Sequence, residues 1–321
     1  MISTYTSPFE QAAEYLPVRI REQLYRLSEL ERKQTHELRL RLQRPFAVSM
    51  CNRQLIPIQS MIITPRDIED SFKQVCEYSI HTYSRELAQG FITVRGGHRV
   101  GICGTAVVKS GEIESIKDIS GLNIRIARQV LGCANEITDT LTCHGIASIL
   151  LIGAPSSGKT TILRDLCRQI GKKHKLSIID ERGEIAASYR GTPQNDVGEN
   201  SDVLDGYPKS AGVITALRAL SPQVIVCDEI GGEDDCQSLR SGVHSGVKLL
   251  ATAHADSVED IYRRKHIAAL LFEGAFDYIV LLSGGKVKQI SRVVDENDKV
   301  HRCGSTGIDR LYDRVIHVGK A

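Results

Sequence analysis

The chain has 321 residues, of which 41% are hydrophobic and 25% are charged, and its formal net charge at pH 7 is +2. This length and hydrophobic content predict two domains, each with its own core. The small net charge excludes a global electrostatic field that would draw the protein onto nucleic acid, so any such binding has to be local.

The nine cysteines include no Cys-x-x-Cys pair and no metal-type spacing, and their number is odd. This usage indicates free thiols in a reducing cytosol. The sequence after Met1 lacks the basic and apolar regions of a signal peptide. The longest strongly apolar stretch, residues 145–154, is well short of the roughly 20 residues that a spanning helix needs. We therefore expect a cytoplasmic protein without a transmembrane segment.

The first 135 residues carry the patterns of a small α/β domain. Apolar residues at helical spacing predict one amphipathic helix over residues 9–31, and leucines alternating with charges predict a half-buried strand over residues 37–42. Capping residues at 64–67 predict a helix that runs to about residue 79. Residues 91–106 have the pattern of a hairpin that turns at Gly96 and Gly97. The basic tip of this hairpin (Arg95, His98 and Arg99) is either a docking surface for a partner or an ordinary solvated turn.

From residue 136 onward, short apolar runs alternate with longer helical patterns. This alternation predicts a mostly parallel sheet that is covered by helices on both faces. The predicted strands are residues 149–152, 176–179, 224–227, 249–251 and 278–282. We therefore divide the chain into an amino-terminal α/β domain, residues 1–135, and a P-loop domain, residues 136–321, with the boundary between residues 132 and 145.

Residues 153–160 match the pattern G-x-x-x-x-G-K-[ST], which is a phosphate-binding loop when it joins a strand to a helix. An apolar run precedes the match, and a helical apolar face follows it up to Gly171, so the context is the required one. The predicted nucleotide site consists of Gly153, Ala154, Pro155, Ser156, Ser157, Gly158, Lys159, Thr160 and Thr161.

This loop is suited to hold the phosphates of ATP together with Mg²⁺. Unpaired N–H groups and the dipole at the amino terminus of the following helix favour anions. The glycines let the backbone curl around the phosphates, and Lys159 reaches the β and γ oxygens. The hydroxyl of Thr160 is suited to ligate Mg²⁺.

The apolar run over residues 224–227 ends in Asp228 and Glu229, at the rim where the carboxyl ends of parallel strands meet a ligand. Asp228 is suited to hold the Mg²⁺ shell, and Glu229 to orient or deprotonate the attacking water. Taken alone, this motif also fits a buried strand with a solvated acidic end. The intact phosphate-binding loop favours the catalytic interpretation.

Two further groups of polar residues follow predicted strands and leave alternatives open. Glu181, within the sequence Asp180-Glu181-Arg182, is a second candidate for the catalytic base, although an ion cluster at the end of a strand explains it as well. Thr252 and His254 occupy places where a polar residue could sense the γ-phosphate of bound ATP, or they begin the next turn.

On these motifs the chain resembles the secretion ATPases, the RecA-like motors of type II and type IV secretion and of pilus assembly. Residues 217–231 resemble the family's arginine-containing lead-in and Walker B strand, residues 250–255 its histidine box, and residues 178–181 its aspartate box. The stretch 191–206 resembles a sporulation branch. Unlike many members, the chain keeps Asp228, and its aspartate box lacks the proline-containing continuation.

The resemblance implies a RecA-like P-loop core, preceded by a smaller α/β domain, in a homo-oligomer that is a hexamer with ATP between subunits. It implies that arginines act on the phosphates of a neighbouring subunit, and the matching positions are Arg125, Arg128 and Arg218. As partners it implies membrane-embedded channel or secretion proteins, met at the inner face of a membrane during endospore formation.

Two other classes of function stay open. A nucleic-acid-stimulated ATPase has little support, because the chain has no tryptophan, aromatic residues make up 5%, and no basic run interleaves with stacking residues. A scaffold that binds nucleotide without turnover is disfavoured because Lys159, Thr160, Asp228 and Glu229 are all intact.

Overall fold

The computed structural model describes residues 7–50, 53–141, 145–293 and 315–316. The chain forms two compact units, unit 1 (Met1–Arg128 and Ala187–Gln194) and unit 2 (Gln129–Ala186 and Asn195–Ala321). Part of the predicted boundary region, residues 142–144, lies outside the described residues, and the division at residue 135 stays a prediction. Among the residues described, every helix is too short or too polar to cross a membrane.

Unit 1 contains a six-stranded antiparallel sheet in the order β3-β2-β1-β6-β5-β4. Its strands are β1 (Thr35–Arg41), β2 (Pro45–Met50), β3 (Arg53–Ile62), β4 (Phe91–Val94), β5 (His98–Lys109) and β6 (Glu112–Arg125). Its helices are α1 (Pro8–Ala13), α2 (Val18–Leu24), α3 (Glu29–Gln34), α4 (Pro65–Val75) and α5 (Ser84–Gln89), with a 3₁₀ helix at Ile80–Tyr83. The strand predicted over residues 37–42 and the hairpin with its turn at Gly96 and Gly97 are confirmed.

The single helix predicted over residues 9–31 is wrong, because the segment forms the three short helices α1, α2 and α3. Pro17 lies immediately before α2, where it has no N–H to continue a helical ladder. Ser28 begins α3 by accepting a hydrogen bond from the N–H of Glu31. The apolar residues therefore keep their helical spacing across both breaks, although a proline and a capping serine interrupt the helix.

The helix predicted from residue 64 begins where expected but ends earlier. The hydroxyl of Thr64 accepts the N–H of Asp67 at the start of α4, as the capping pattern predicts. The helix ends at Val75, and Glu77 and Tyr78 then take the left-handed φ values of 48° and 61°. These left-handed residues reverse the chain before the 3₁₀ helix, which the apolar pattern alone does not reveal.

The segment Ala187–Gln194 packs within unit 1, although unit 2 precedes and follows it in the sequence. The side chain of Gln194 accepts the N–H of Gly96 at 2.8 Å, and Arg190 forms an ion pair with Glu77. A Cβ on Gly97 would lie 3.1 Å from the Cβ of Ala187. The turn of the β4–β5 hairpin is therefore covered by this segment.

Unit 2 contains an eight-stranded sheet in the order β14-β13-β12-β7-β11-β10-β8-β9. Its strands are β7 (Ile149–Gly153), β8 (Leu176–Asp180), β9 (Ser201–Asp205), β10 (Val224–Cys227), β11 (Lys248–His254), β12 (Tyr278–Ser283), β13 (Lys286–Arg292) and β14 (Val315–Ile316). Its helices are α6 (Asn135–Leu141), α7 (Lys159–Ile170), α8 (Lys209–Ala219), α9 (Glu233–His244), α10 (Val258–Arg263) and α11 (Lys265–Phe272). The five predicted strands of this part of the chain are confirmed as β7, β8, β10, β11 and β12.

The prediction of a mostly parallel sheet needs a correction, because the sheet of unit 2 is mixed. The strands from β12 to β9 run parallel to their neighbours, whereas β13 and β14 add antiparallel pairs beside β12. A short turn after Ser283 returns the chain beside β12, and only an antiparallel partner can follow so short a connection.

Alternate residues of the unit 2 strands enter two different cores, one on each face of the sheet. Leu151 and Val226 pack on the face covered by α6 and α7, whereas Ile152 and Ile225 pack on the face covered by α8 to α11. Fully burying an aliphatic side chain contributes about 1.5–3 kcal/mol. The sheet is therefore held from both faces, and its carboxyl-terminal edge carries the polar residues described below.

The prediction that His98 lies at the basic tip of the hairpin surface is wrong, because His98 is fully buried in unit 1. Its Nδ1 accepts the N–H of Ala127 at 3.0 Å. Burial lowers the pKa of His98 from 6.5 to about 4. The imidazole is thus neutral in the folded protein at neutral pH.

We expect His98 to make folding stability depend on pH. Between pH 6.5 and pH 4 the unfolded chain binds a proton at this residue and the folded chain does not, so stability falls as the pH falls. Complete titration of this difference would lower the free energy of unfolding by about 3 kcal/mol at pH 4. Urea unfolding at a series of pH values measures the effect. The variant H98N should flatten the dependence, whereas H81N, at an exposed histidine, should not.

Candidate nucleotide-binding site

The phosphate-binding loop joins β7 to α7, and its conformation includes a turn hydrogen bond and two left-handed residues. The N–H of Ser157 donates to the carbonyl of Ala154 at 3.2 Å, and Ser156 adopts a left-handed φ of 61°. Gly158 has a φ of 93°, and a Cβ there would lie 2.9 Å from the Cα of Gly285. The first helical hydrogen bond of α7 runs from the N–H of Ile162 to Gly158, so the amides of residues 159–161 lie in the unpaired first turn.

Lys159 is buried, with 7% of its surface exposed, and its ammonium group lies inside the loop. Its Nζ donates to the carbonyl oxygens of Gly153 at 2.8 Å and Ala154 at 2.9 Å, and it lies 3.1 Å from Nδ1 of His254. Burial lowers the pKa of Lys159, and the nearby carboxylates of Asp228 and Glu229 offset part of this effect. An anion within reach would stabilise this buried cation more than the neutral carbonyls do.

Asp228 connects the phosphate-binding loop to the neighbouring strand β11. Its Oδ2 accepts the hydroxyl of Thr160 at 2.9 Å, and its Oδ1 accepts the hydroxyl of Thr252. The parallel register explains this arrangement, because Cys227 pairs with Ala251 and Leu151 pairs with Thr252. The ends of three adjacent strands are thus level with one another, and the residues that follow them converge.

Glu229 is fixed through both its backbone and its side chain. It takes a left-handed φ of 50°, and its N–H donates to the hydroxyl of Thr252 at 2.8 Å. Its carboxylate lies 2.6 Å from Arg182 through Oε2 and 3.2 Å from Nε2 of His254 through Oε1. A non-glycine residue in this conformation is held there by its surroundings, and such residues are frequent at functional sites.

Asp180 is a buried carboxylate that organises the turn after β8. Its two oxygens accept the N–H groups of Glu184, Ile185 and Ala186 at 2.8 to 3.1 Å. Burial raises the pKa of Asp180, and these hydrogen bonds oppose part of the increase. The guanidinium of Arg164 donates to the carbonyls of Glu184 and Ile185 in the same turn at 2.7 and 3.0 Å.

Glu181, the second candidate base, has a different environment from Glu229. Its Oε2 accepts a hydrogen bond from Nζ of Lys209 at 2.8 Å. Burial disfavours the ammonium form of Lys209, yet the bond to Glu181 and the nearby Asp235 hold its pKa above the ordinary value. Glu181 is therefore engaged with the first residue of α8.

The structure brings most of the predicted site residues of unit 2 to one edge of the sheet. A shallow cleft of about 250 Å³ there is lined by Ile179, Asp180, Glu181, Arg182, Glu184, Lys209, Asp228 and Glu229. Arg218 lies apart from it, exposed in the last turn of α8 and about 13 Å along the helix from Lys209.

The other two predicted arginines belong to unit 1. Arg128 donates to the backbone carbonyls of Arg32 at 3.1 Å and Thr35 at 2.8 Å. Arg125 lies 3.6 Å from the carboxylate of Glu37 on the adjacent strand. Within unit 1, Arg128 thus ties β1 to the end of β6, whereas Arg125 projects from the sheet with an exposed side chain.

Three basic residues of this site were not identified from the sequence, namely Arg164, Arg182 and Lys209. Arg164 follows Thr160 by one helical turn on α7, a spacing that places both on the same face and could have indicated it. Arg182 stands next to a candidate residue, but nothing in the sequence shows that it faces Glu229, which is 47 residues away. Lys209 begins α8 after Pro208, and its position in the sequence carries no signal of a site.

The residues present fit a magnesium nucleotide. Gly158 lets the loop pack against the backbone of Gly285, and the unpaired amides at the start of α7 favour an anion such as a phosphate. Ser157 Oγ is buried with no hydrogen-bond partner among the described residues, and a phosphate oxygen could supply one. Thr160 and Asp228 supply a hydroxyl and a carboxylate 2.9 Å apart, which are oxygen donors that Mg²⁺ accepts.

Solved structures with the same arrangement of elements define the class of fold. The Legionella pneumophila ATPase DotB matches with a TM-score of 0.55 at 15% identity, over 94% of this chain and 85% of that chain. The pilus retraction motor PilT, solved with bound ADP, matches with a TM-score of 0.58 at 16% identity, over 88% and 84%. The chain therefore has a two-sheet α/β fold similar to the folds of DotB and PilT.

The particular family follows from sequence similarity. The family model described as sporulation stage III, protein AA matches residues 8–300. Stage III sporulation protein AA of Bacillus subtilis (strain 168) is 37% identical over 297 residues, which are 90% of this chain and 96% of that protein. The chain belongs to the sporulation stage III protein AA family, and the sporulation branch expected from residues 191–206 is confirmed.

Proposed function

We propose that this protein hydrolyses Mg-ATP as a subunit of a ring-forming, secretion-type motor. The observation that carries this proposal is the hydrogen bond between Thr160 of the phosphate-binding loop and Asp228 at the end of β10. It joins the residue that would ligate Mg²⁺ to the carboxylate that would hold the Mg²⁺ shell. Glu229, the next residue, lies beside this pair and is a suitable base.

Each residue has a defined task in the proposed reaction. The loop amides and Lys159 bind the phosphates, and Lys159 exchanges its loop carbonyls for phosphate oxygens. Thr160 and Asp228 would hold Mg²⁺, which supplies charge neutralisation to the phosphates when it is bound. Glu229 orients the attacking water and accepts its proton. His254, which lies 3.1 Å from Lys159 and 3.2 Å from Glu229, links the phosphate side of the site to the base.

The geometry favours Glu229 over Glu181 as the base. Glu229 shares Thr252 with Asp228 and is within hydrogen-bond reach of His254, so it belongs to the same network as the loop. Glu181 is held by Lys209. We therefore assign the proton transfer to Glu229 and a supporting role in the turn to Glu181.

The proposal extends to assembly and setting. The fold of secretion motors and the family's name support a hexameric homo-oligomer that energises a channel across the envelope during endospore formation, at the inner face of a membrane. Arg125, Arg128 and Arg218 are the candidates for donation to a neighbouring subunit's phosphates. Arg128 would have to leave its two carbonyl partners to do so.

ATP turnover per subunit, measured over a wide range of protein concentration, tests this proposal. We expect a rate that rises with protein concentration, because the site would be completed by a neighbouring subunit. The rate should fall to background when Mg²⁺ is removed with EDTA and recover when Mg²⁺ is restored. A background rate at every concentration with Mg²⁺ present would contradict the proposal. A steep salt-dependent gain with an oligonucleotide would indicate a nucleic-acid-stimulated enzyme instead.

A further inference from the structure

Arg182 contacts the proposed base but has no role in the reaction described above. Its Nη1 lies 2.6 Å from Oε2 of Glu229, and 62% of its side chain is exposed. Exposed ion pairs contribute little to folding stability, so stability does not explain why this one is present. The way in which both partners are held points to a different purpose.

The turn that carries Arg182 is built on buried polar groups. Asp180, 1% exposed, accepts hydrogen bonds from the amides of residues 184–186, and Arg164 donates to the carbonyls of Glu184 and Ile185. Gly183, next to Arg182, takes a left-handed φ of 61° that closes the turn. The turn that carries residue 182 is therefore fixed by hydrogen bonds to its amides and its carbonyls.

The position of Glu229 is also set by contacts to its backbone and to both carboxylate oxygens. Its backbone is held by Thr252, and its two oxygens face two different partners, Arg182 at Oε2 and His254 at Oε1. A charge-assisted hydrogen bond between a guanidinium and one carboxylate oxygen favours one orientation of the carboxylate. The other oxygen keeps a lone pair, because His254 occupies only one side of it at 3.2 Å.

We propose that Arg182 is a positioning residue for Glu229, and that it holds Oε2 so that Oε1 faces the attacking water. This inference rests on the proposed function of Glu229. In the step concerned, the water oxygen bonds to the γ-phosphorus while the bond to the β–γ bridging oxygen breaks, and ADP leaves with that electron pair. The water proton passes to Oε1 of Glu229 and is later lost to solvent. Arg182 stays on Oε2 throughout and does not touch the phosphates.

Steady-state kinetics of R182A and R182K, together with the binding of a fluorescent ATP analogue, test this role. R182A should lower kcat by roughly 10-fold or more, because a misplaced base loses much of its effect, while KM and analogue binding stay unchanged. R182K, which keeps the charge and one donor, should recover part of kcat. As a matched control, R240A removes another exposed ion pair of unit 2, with Glu273 at 2.8 Å, and should leave kcat unchanged.

A double-mutant cycle with E229Q separates positioning from a general structural effect. If Arg182 acts only through Glu229, E229Q and R182A/E229Q should have the same residual rate. The positioning role is overturned if the effects of the two substitutions add. It is also overturned if R182A raises kcat, which would mark Arg182 as a restraint on the base. A joint fall of kcat and analogue binding would mark Arg182 as a phosphate ligand and overturn the role as well. A wild-type protein without Mg-ATP turnover would overturn the proposed hydrolysis itself, whereas unchanged kcat in R182A beside an active wild type overturns the positioning role alone.

Discussion

Replacing Glu229 by glutamine should lower ATP turnover by roughly 100-fold or more, because an amide cannot accept the proton of the attacking water. Glutamine has nearly the same shape as glutamate, and it can still accept the hydrogen bond from Arg182 through its amide oxygen. Nucleotide binding should therefore persist, because the loop amides, Lys159 and Thr160 are untouched. Phosphate release measures turnover, and a fluorescent ATP analogue measures binding.

The matched control for this prediction is E181Q, which alters the other candidate base of the same cleft. Since Glu181 is bonded to Lys209 at 2.8 Å and not to Thr252 or His254, turnover should change by only a few-fold. A large loss in E181Q beside a small loss in E229Q would reverse the assignment of the base. Equal and large losses in both would mean that the two carboxylates act together.

Replacing Asp180 by alanine should lower the free energy of unfolding by about 3 kcal/mol, because it removes a buried acceptor and leaves amides of the turn without a partner. Three N–H groups, those of residues 184–186, donate to this carboxylate. The same change releases the turn that carries Arg182, so turnover should fall as well. Urea unfolding followed by circular dichroism measures the stability, and amide hydrogen exchange at residues 184–186 shows where the protection is lost.

Two variants control for the loss of a charge at this end of the sheet. D180N keeps one acceptor oxygen in place and should be less destabilising than D180A. D202A removes an exposed carboxylate from the neighbouring strand β9 and should leave both stability and exchange unchanged. Protection of residues 184–186 that survives in D180A would contradict the role given to Asp180.

Asp180, which the sequence marked only as part of an aspartate box, is a structural centre of this site. It does not reach the base itself, but it fixes the backbone from which Arg182 does. The pair of parallel strands β8 and β10 makes this possible, because Ile179 pairs with Cys227 and the residues after them meet at the same edge.

Local signals were sufficient wherever neighbouring residues decide the structure. The strand, loop and helix around residues 153–160 were predicted because the motif's glycines, lysine and threonine lie within eight residues, and the structure gives that segment the expected elements. The buried strands were found because each is a short apolar run. The single helix over residues 9–31 failed because helical spacing continues across Pro17 and Ser28, although the backbone does not.

By itself, the sequence determined the strand, loop and helix around residues 153–160, the acidic end of β10, the alternation of strands and helices in unit 2, and the family. Only the tertiary structure decided that β13 and β14 add an antiparallel edge, that Ala187–Gln194 belongs to unit 1, and that His98 is buried. It also decided the partners of each carboxylate, with Asp228 on two hydroxyls, Glu181 on Lys209 and Glu229 on Arg182. The physical reason is that strand register and buried hydrogen bonds bring together side chains that are distant along the chain. The local sequence carries no pattern that predicts these contacts.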